Sequence, residues 1–145
     1  MLIPELGQRL QQEGCNSSFY AIGSPGLASD AYCLTRHRGE WRVFYTERGC
    51  DQPPIFESRS EEEACEFFYK FIMRFRHDHC IGFFRSKAET DALCEKLREH
   101  GVPFHQDTIP YGGPKDIRHR VFVVGKVVFK ARELLGELPL EDRAV

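Results

Sequence analysis

The sequence predicts an α+β fold, and three observations carry that expectation. Apolar residues recur at helical spacing in four segments, they alternate at strand spacing in several shorter ones, and the two kinds are interspersed along the chain. At 145 residues the chain can bury about two thirds of its unfolded surface, so it needs no metal or disulfide staple. A hydrophobic content of 41% with 29% charged residues argues against disorder. Twelve Phe, five Tyr and one Trp predict a core of large rings.

Leu2, Ile3, Leu6 and Leu10 share one helical face, with Pro4 in a tolerated first-turn position and Gly14 as the stop. Asn16 to Asp30, with Gly23-Ser-Pro-Gly26 inside it, reads as a loop. Ala31 to Thr35 and Trp41 to Thr46 read as hairpin strands joined at Arg38-Gly39-Glu40. Alternation puts Trp41, Val43 and Tyr45 on one face, and Arg42, Phe44 and Thr46 on the other. After a loop from Glu47 to Pro54, Ile55-Phe56-Glu57 adds a third, short strand. Ser60 then opens a helix whose first amides its hydroxyl caps while Glu63 reaches back. Glu61, Glu62 and Glu63 complement the positive end of its dipole. Ala64, Phe67, Phe68, Phe71, Ile72 and Phe75 form its apolar stripe.

The second half follows without a flexible linker. His79 to Phe84 reads as a strand, and Ser86 with Glu89 caps a helix that turns Ala88, Ala92, Leu93 and Leu97 inward and ends at Gly101. Val102 to Gln106 and Arg120 to Val124 read as strands around a loop at Pro110-Tyr-Gly-Gly-Pro114. Val127 to Leu138 is the last helix, before an acidic tail. This β-α-β-β-α order resembles a ferredoxin-like or SPOR-like half, an analogy of architecture with no function attached. The expected whole is an N-terminal helix, a small antiparallel sheet and a helix over 1–76, with the β-α-β-β-α unit over 77–145 packed against it. These are two subdomains or one continuous domain.

Charge narrows the partners. The net charge is −2, with nine basic and eleven acidic residues through Arg76 and eleven of each beyond it. Neither half is a platform for phosphates, which argues against nucleic acid. The first residues lack a basic segment followed by an apolar core, and no apolar run approaches the ~20 residues that span a bilayer. A cytoplasmic protein without a membrane partner is expected. Of six cysteines, Cys33, Cys65, Cys80 and Cys94 fall among apolar neighbours as reduced, buried thiols, leaving Cys15 and Cys50 in loop contexts as the pair able to be exposed.

Candidate chemistry is thin. His77-Asp-His79-Cys80 offers metal ligands, with His100, His105 and His119 elsewhere, but strand alternation separates His79 from Cys80 and no metal-ligand spacing appears. Cys80 or Cys94 with a histidine would make a nucleophile pair only in an electropositive, reachable setting, and both sit in apolar patterns. No catalytic residue, metal or cofactor is therefore assigned. Pro110 to Lys115 lacks the Walker spacing; it is either a mobile connection or a contact loop whose Tyr111 and Lys115 reach a partner. Arg118, Arg120, Lys126, Lys130 and Arg132 lie near Phe122 and Phe129, a composition that suits stacked single-stranded RNA, although acids elsewhere cancel the field. Glu47, Asp51, Glu57, Glu61, Glu62, Glu63 and Glu66 form the converse patch. Helix capping explains part of it, and electrostatic steering of a basic protein is its functional reading.

The run Ala31-Tyr-Cys33, then Trp41-x-Val-x-Tyr-x-Glu-Arg-Gly49, Phe56 and Ser60-x-Glu-Glu-Ala-Cys65, resembles an arrangement found in bacterial polymorphic-toxin immunity proteins. These include the immunity proteins of contact-dependent growth-inhibition systems. The similarity covers roughly residues 28 to 76, about a third of the chain. It implies an inhibitor that binds a cognate toxin, the C-terminal toxin domain of a secreted effector such as a nuclease. Such an inhibitor occludes the toxin's active or activation surface without reacting. Charge and expected exposure assign Glu47, Asp51, Glu57, Glu61, Glu62, Tyr111 and Lys115 to partner binding, with Phe19, Tyr20 and Phe44 as further anchors if exposed. The alternative is a non-enzymatic RNA- or ligand-binding regulatory module.

Overall fold

The computed structural model describes residues 1–23 and 30–143. Residues 24–29, part of the expected loop before the hairpin, and the last two residues of the tail lie outside the described residues. Among the described residues four helices and two sheets make an α+β fold, and the chain divides into compact units Met1–Arg76 and His77–Val145.

The first unit begins with α1 (Ile3–Gln12), which buries Leu6 and Leu10. Five strands follow: β1 (Tyr20–Ile22), β2 (Ala31–His37), β3 (Glu40–Glu47), β4 (Cys50–Asp51) and β5 (Phe56–Ser58). β2 and β3 form the expected hairpin, whose turn residues Arg38 and Gly39 both have positive φ (52° and 79°), as a type I′ turn requires. Arg48 and Gly49 repeat that geometry at 49° and 79° and fold β4 back on β3. The Glu-Arg-Gly element thus has a physical reason: it closes a tight turn inside the segment from Glu47 to Pro54 expected as a loop. The sheet is mixed, not antiparallel as expected, because β1 pairs parallel with β2. β1 holds only three residues, too few for periodicity to betray it, and its partner lies across the 24–29 connection.

α2 (Glu61–Met73) packs Ala64, Cys65, Phe68 and Ile72 into a core with Leu6, Leu10, Leu34 and Val43. Its cap is a relay instead of the expected two-member box. The Glu63 amide donates to the Ser60 hydroxyl at 3.1 Å, but the Glu63 carboxylate takes the Ser58 hydroxyl at 3.2 Å, and Ser58 Oγ accepts the Ser60 amide at 3.0 Å. Phe67 and Phe71 on α2 and Phe75 just past its end stand four residues apart, and their rings continue to Phe56 at one end and Tyr32 at the other.

The second unit holds β6 (Asp78–Phe84), α3 (Lys87–Glu99), β7 (His105–Pro110), β8 (Ile117–Val124), α4 (Val127–Leu135) and β9 (Leu140–Glu141) in sheet order β7-β8-β6-β9. β8 lies between β6 and β7 and is antiparallel to both, giving the split β-α-β arrangement. Three expectations shift. Val102 is buried in the turn after α3, held by its amide to the Leu97 carbonyl at 2.9 Å, so the strand starts later, at His105. Ala88 and Ala92 are exposed, and α3 buries Thr90, Leu93, Cys94 and Leu97 instead. α4 stops at Leu135, where Gly136 takes a φ of 84°, and the acidic tail contributes β9, parallel to β6 at Gly82 and Phe83. Gly82 has no room for a side chain there: a Cβ would meet Leu93 Cδ2 and Phe84 Cε2 at 2.7 Å each. Asp142, just past β9, accepts the Arg85 and Ser86 amides at 2.7 and 3.1 Å and ties the tail to the entry of α3.

Strand alternation and register separate the two faces of this sheet. Ile81, Phe84, Val121 and Val123 join Leu93, Leu97, Val128 and Ala131 of the helices in the core. The other face carries Asp78, Cys80 and Phe83 on β6, Arg118, Arg120 and Phe122 on β8, and His105, Asp107 and Ile109 on β7, and no helix of this unit covers it. Among the described residues no helix is long and apolar enough to cross a membrane.

Candidate partner-binding surfaces

The acidic residues assigned to partner binding are spread over three places in the first unit. Glu47 and Asp51 are exposed at the β3–β4 hairpin. Glu57 is exposed on β5 with its carboxylate 3.8 Å from Arg42 Nε, an atom that has no hydrogen-bond partner in the described structure. Glu61 and Glu62 occupy the first turn of α2 with divided roles. Glu61 accepts the Ile3 amide at 3.4 Å, so it caps α1 across the fold, and Glu62 lies 3.6 Å from the Met1 amino group.

Beside that first turn a surface groove of about 600 Å³ runs along α2. Its apolar wall is Phe56 and Phe67, whose rings stack at 4.2 Å and 7°. Glu62, Glu63 and Glu66 line it with Ser60 and Met1, and Lys70 closes one side, 3.3 Å from Glu66. Sequence reasoning named Glu62 alone as a contact residue here. Phe67 belongs to the apolar stripe expected to face the core and Phe56 to the short third strand, and no sequence signal shows that their paired rings are only half-buried.

Tyr111 and Lys115 belong to the second unit. Their loop is a closed hairpin end: the Tyr111 amide donates to the Asp116 carbonyl at 2.8 Å, and the Asp116 amide to the Gly113 carbonyl at 3.1 Å. Lys115 is exposed at its tip. Tyr111 is 62% exposed, yet its ring is oriented by the Arg118 guanidinium 4.5 Å from the centroid and by an edge contact with Phe83 at 5.4 Å. Arg118 is buried and pairs with Asp116, while Arg85 lies 3.9 Å from the same carboxylate. Phe19 and Tyr20 are half-buried against the first core, and Phe44 is buried, so none is a protruding anchor.

Of the basic concentration, Arg118 and Arg120 on β8 are paired with acids, while Lys126, Lys130 and Arg132 are exposed. Arg120 grips Asp107 through two bonds of 2.8 and 2.6 Å and lies 4.9 Å over the Phe122 ring. His105 stacks on Phe122 at 5.1 Å and reaches Asp78 at 3.0 Å. The Arg120 bonds hold Asp107 below the usual carboxylate range, and the Arg85 and Ser86 amides do the same for Asp142. A depressed carboxylate contributes stability that is complete above its unfolded pKa of about 4 and is lost as pH falls through the folded value. The Asp107→Asn/Asp142→Asn double variant should therefore lose less stability on acidification below about pH 4 than the parent chain. Urea midpoints across that range check it, and parallel curves would refute it.

All six cysteines are free. Burial pushes the thiols of Cys15, Cys33 and Cys65 up to about 11 and also raises those of Cys80 and Cys94, so all five are held as thiols at neutral pH. Of the two cysteines able to be exposed, Cys15 is buried against Met73 and Cys50 is exposed, while Cys80, expected to be buried, is half-buried. Among the described residues no three His, Cys, Asp or Glu side chains gather in metal-binding geometry. No protein-family model, curated protein or solved structure matches the chain.

Proposed function

We propose that the chain is a cytoplasmic immunity protein. It binds a cognate bacterial toxin, the C-terminal domain of a secreted nuclease effector, and neutralises it by occluding its active or activation surface. The supporting observation is the exposure of acids at two places in the first unit: Glu47 and Asp51 sit on a tight hairpin, and Glu62 borders an aromatic-walled groove. A nuclease that grips phosphates presents a basic surface, and fixed carboxylates accelerate its encounter and orient docking. The inhibitor contributes shape and charge and forms no bond to its target.

The test is co-expression with the adjacent reading frame, followed by co-purification and growth rescue. Neither result appearing would sink the proposal. Within it, the Glu47→Lys/Asp51→Lys double variant should slow association about tenfold at low salt, with the loss shrinking at high salt and thermal stability unchanged. Glu57 is left out of that variant because a lysine there would stand against Arg42. Unchanged association in stopped flow would count against steering by this hairpin.

A second reading, single-stranded RNA on the open face of the second sheet, draws support from Phe83, Phe122 and Arg120 on its two central strands. Against it, Phe122 is already covered by His105 and Arg120, and Asp107 neutralises the arginine. A gel shift that weakens steeply with salt would favour this reading.

A further inference from the structure

We infer that the groove along α2 receives a cationic segment of the partner protein with one apolar side chain seated against the stacked rings of Phe56 and Phe67. The inference deepens the proposed function and rests on it only in assigning the segment to the toxin; the groove's own chemistry selects the segment. The two rings come from different elements, a short edge strand and a helix, and meet nearly parallel at 4.2 Å, which makes a rigid apolar wall. Both are only half-buried, and Ile55, next to Phe56 in the chain, is 45% exposed. An apolar side chain that covers such a wall removes it from water, and the wall needs no rearrangement to receive it.

Charge decides the rest of the occupant. Among the described residues, Glu62, Glu63 and Glu66 line the groove with two cations, Lys70 beside Glu66 and the Met1 amino group 3.6 Å from Glu62, so the lining stays net negative, repels an acidic segment and holds a lysine- or arginine-bearing one. Glu63 accepts the Ser58 hydroxyl at 3.2 Å, and Glu66 lies 3.3 Å from Lys70 as an exposed pair. Helix capping accounts for Glu61 and Glu63, but not for Glu66, which lies beyond the first turn.

The experiment titrates the intact chain with three capped peptides and follows backbone amides by NMR. The first is acetyl-Leu-Lys-Lys-Phe-Lys-Lys-amide, the second replaces its Leu and Phe by Ser, and the third replaces its lysines by Glu. The first peptide should bind, with shifts concentrated at 56 and 60–70, and the other two should bind at least about tenfold more weakly, roughly the worth of 1.4 kcal/mol. The Glu62→Gln/Glu66→Gln variant should weaken the first peptide by a similar factor while its amide spectrum away from the groove stays that of the parent chain. Equal binding of all three peptides, shifts elsewhere, or no response to the variant would overturn the inference. So would self-association of the chain through these residues in the absence of peptide. The same variant is then tested for toxin co-purification. If it is retained as firmly as the parent, the groove assignment falls and the immunity reading stands; if the parent chain itself captures no toxin, the immunity reading falls while the peptide titration still judges the groove.

Discussion

Replacing Phe68 with alanine is expected to cost about 3–5 kcal/mol, the range for removing a fully buried ring. Phe68 has no exposed surface, lies in the middle of α2 and meets the Tyr20 ring edge-on at 6.4 Å. Leu6 and Leu10 of α1, Leu34 and Val43 of the sheet, and Ile72 one turn on are in the same cluster. Three elements therefore face the cavity that the variant creates, and none can close it without giving up its own contacts. Denaturation in urea, read by far-ultraviolet circular dichroism, should show a lower midpoint with little change in slope. A loss under about 1 kcal/mol would mean that the first core collapses freely around the missing ring, contrary to its packing.

The second large effect is expected at Asp116, far from any apolar core position. The Arg118 side chain is only 8% exposed and its guanidinium faces the Asp116 carboxylate and the Tyr111 ring. Asp116→Ala removes the nearest counter-ion of that buried cation, leaving the more distant Asp142 carboxylate, and should destabilise the second unit by about 2 kcal/mol, discounted from a fully buried pair because Asp116 is partly exposed. Adding Arg118→Leu should recover most of the loss, because the unpaired charge is removed while apolar contact with Tyr111 remains. A double variant no better than Asp116→Ala would place the penalty in the turn and not in the charge. The turn's own bonds are backbone to backbone and survive both substitutions.

Local signals were legible in the sequence and long-range ones were not. Ser60 and Ser86 announced α2 and α3 because a cap is decided within four residues, and both hydroxyls accept the expected amide. The Arg38-Gly39 turn was legible because long alternating strands flank it. The identical Arg48-Gly49 geometry was not, since β4 has only two residues to show. β1 and β9 are short and parallel, held by partners distant in the chain, so no window of sequence contains their cause. Val102 drew the reading of β7 too far toward the N-terminus by being apolar and buried in a turn. For the candidate surfaces, charge type was readable, and Glu47, Asp51 and Lys115 are exposed as expected. Pairing was not: Arg42 with Glu57, Arg120 with Asp107 and Arg118 with Asp116 join residues whose proximity the strands and turns create.

The lone tryptophan has a practical corollary. Trp41 sits on β3 opposite Ser58, half-buried beside the first core, and the second unit contains no tryptophan and a single tyrosine, Tyr111. Indole emission is thus a private optical reporter for one half of the polypeptide. Excited selectively, it should register the Phe68 lesion in the unit that carries it, beside the far-ultraviolet signal of the whole chain.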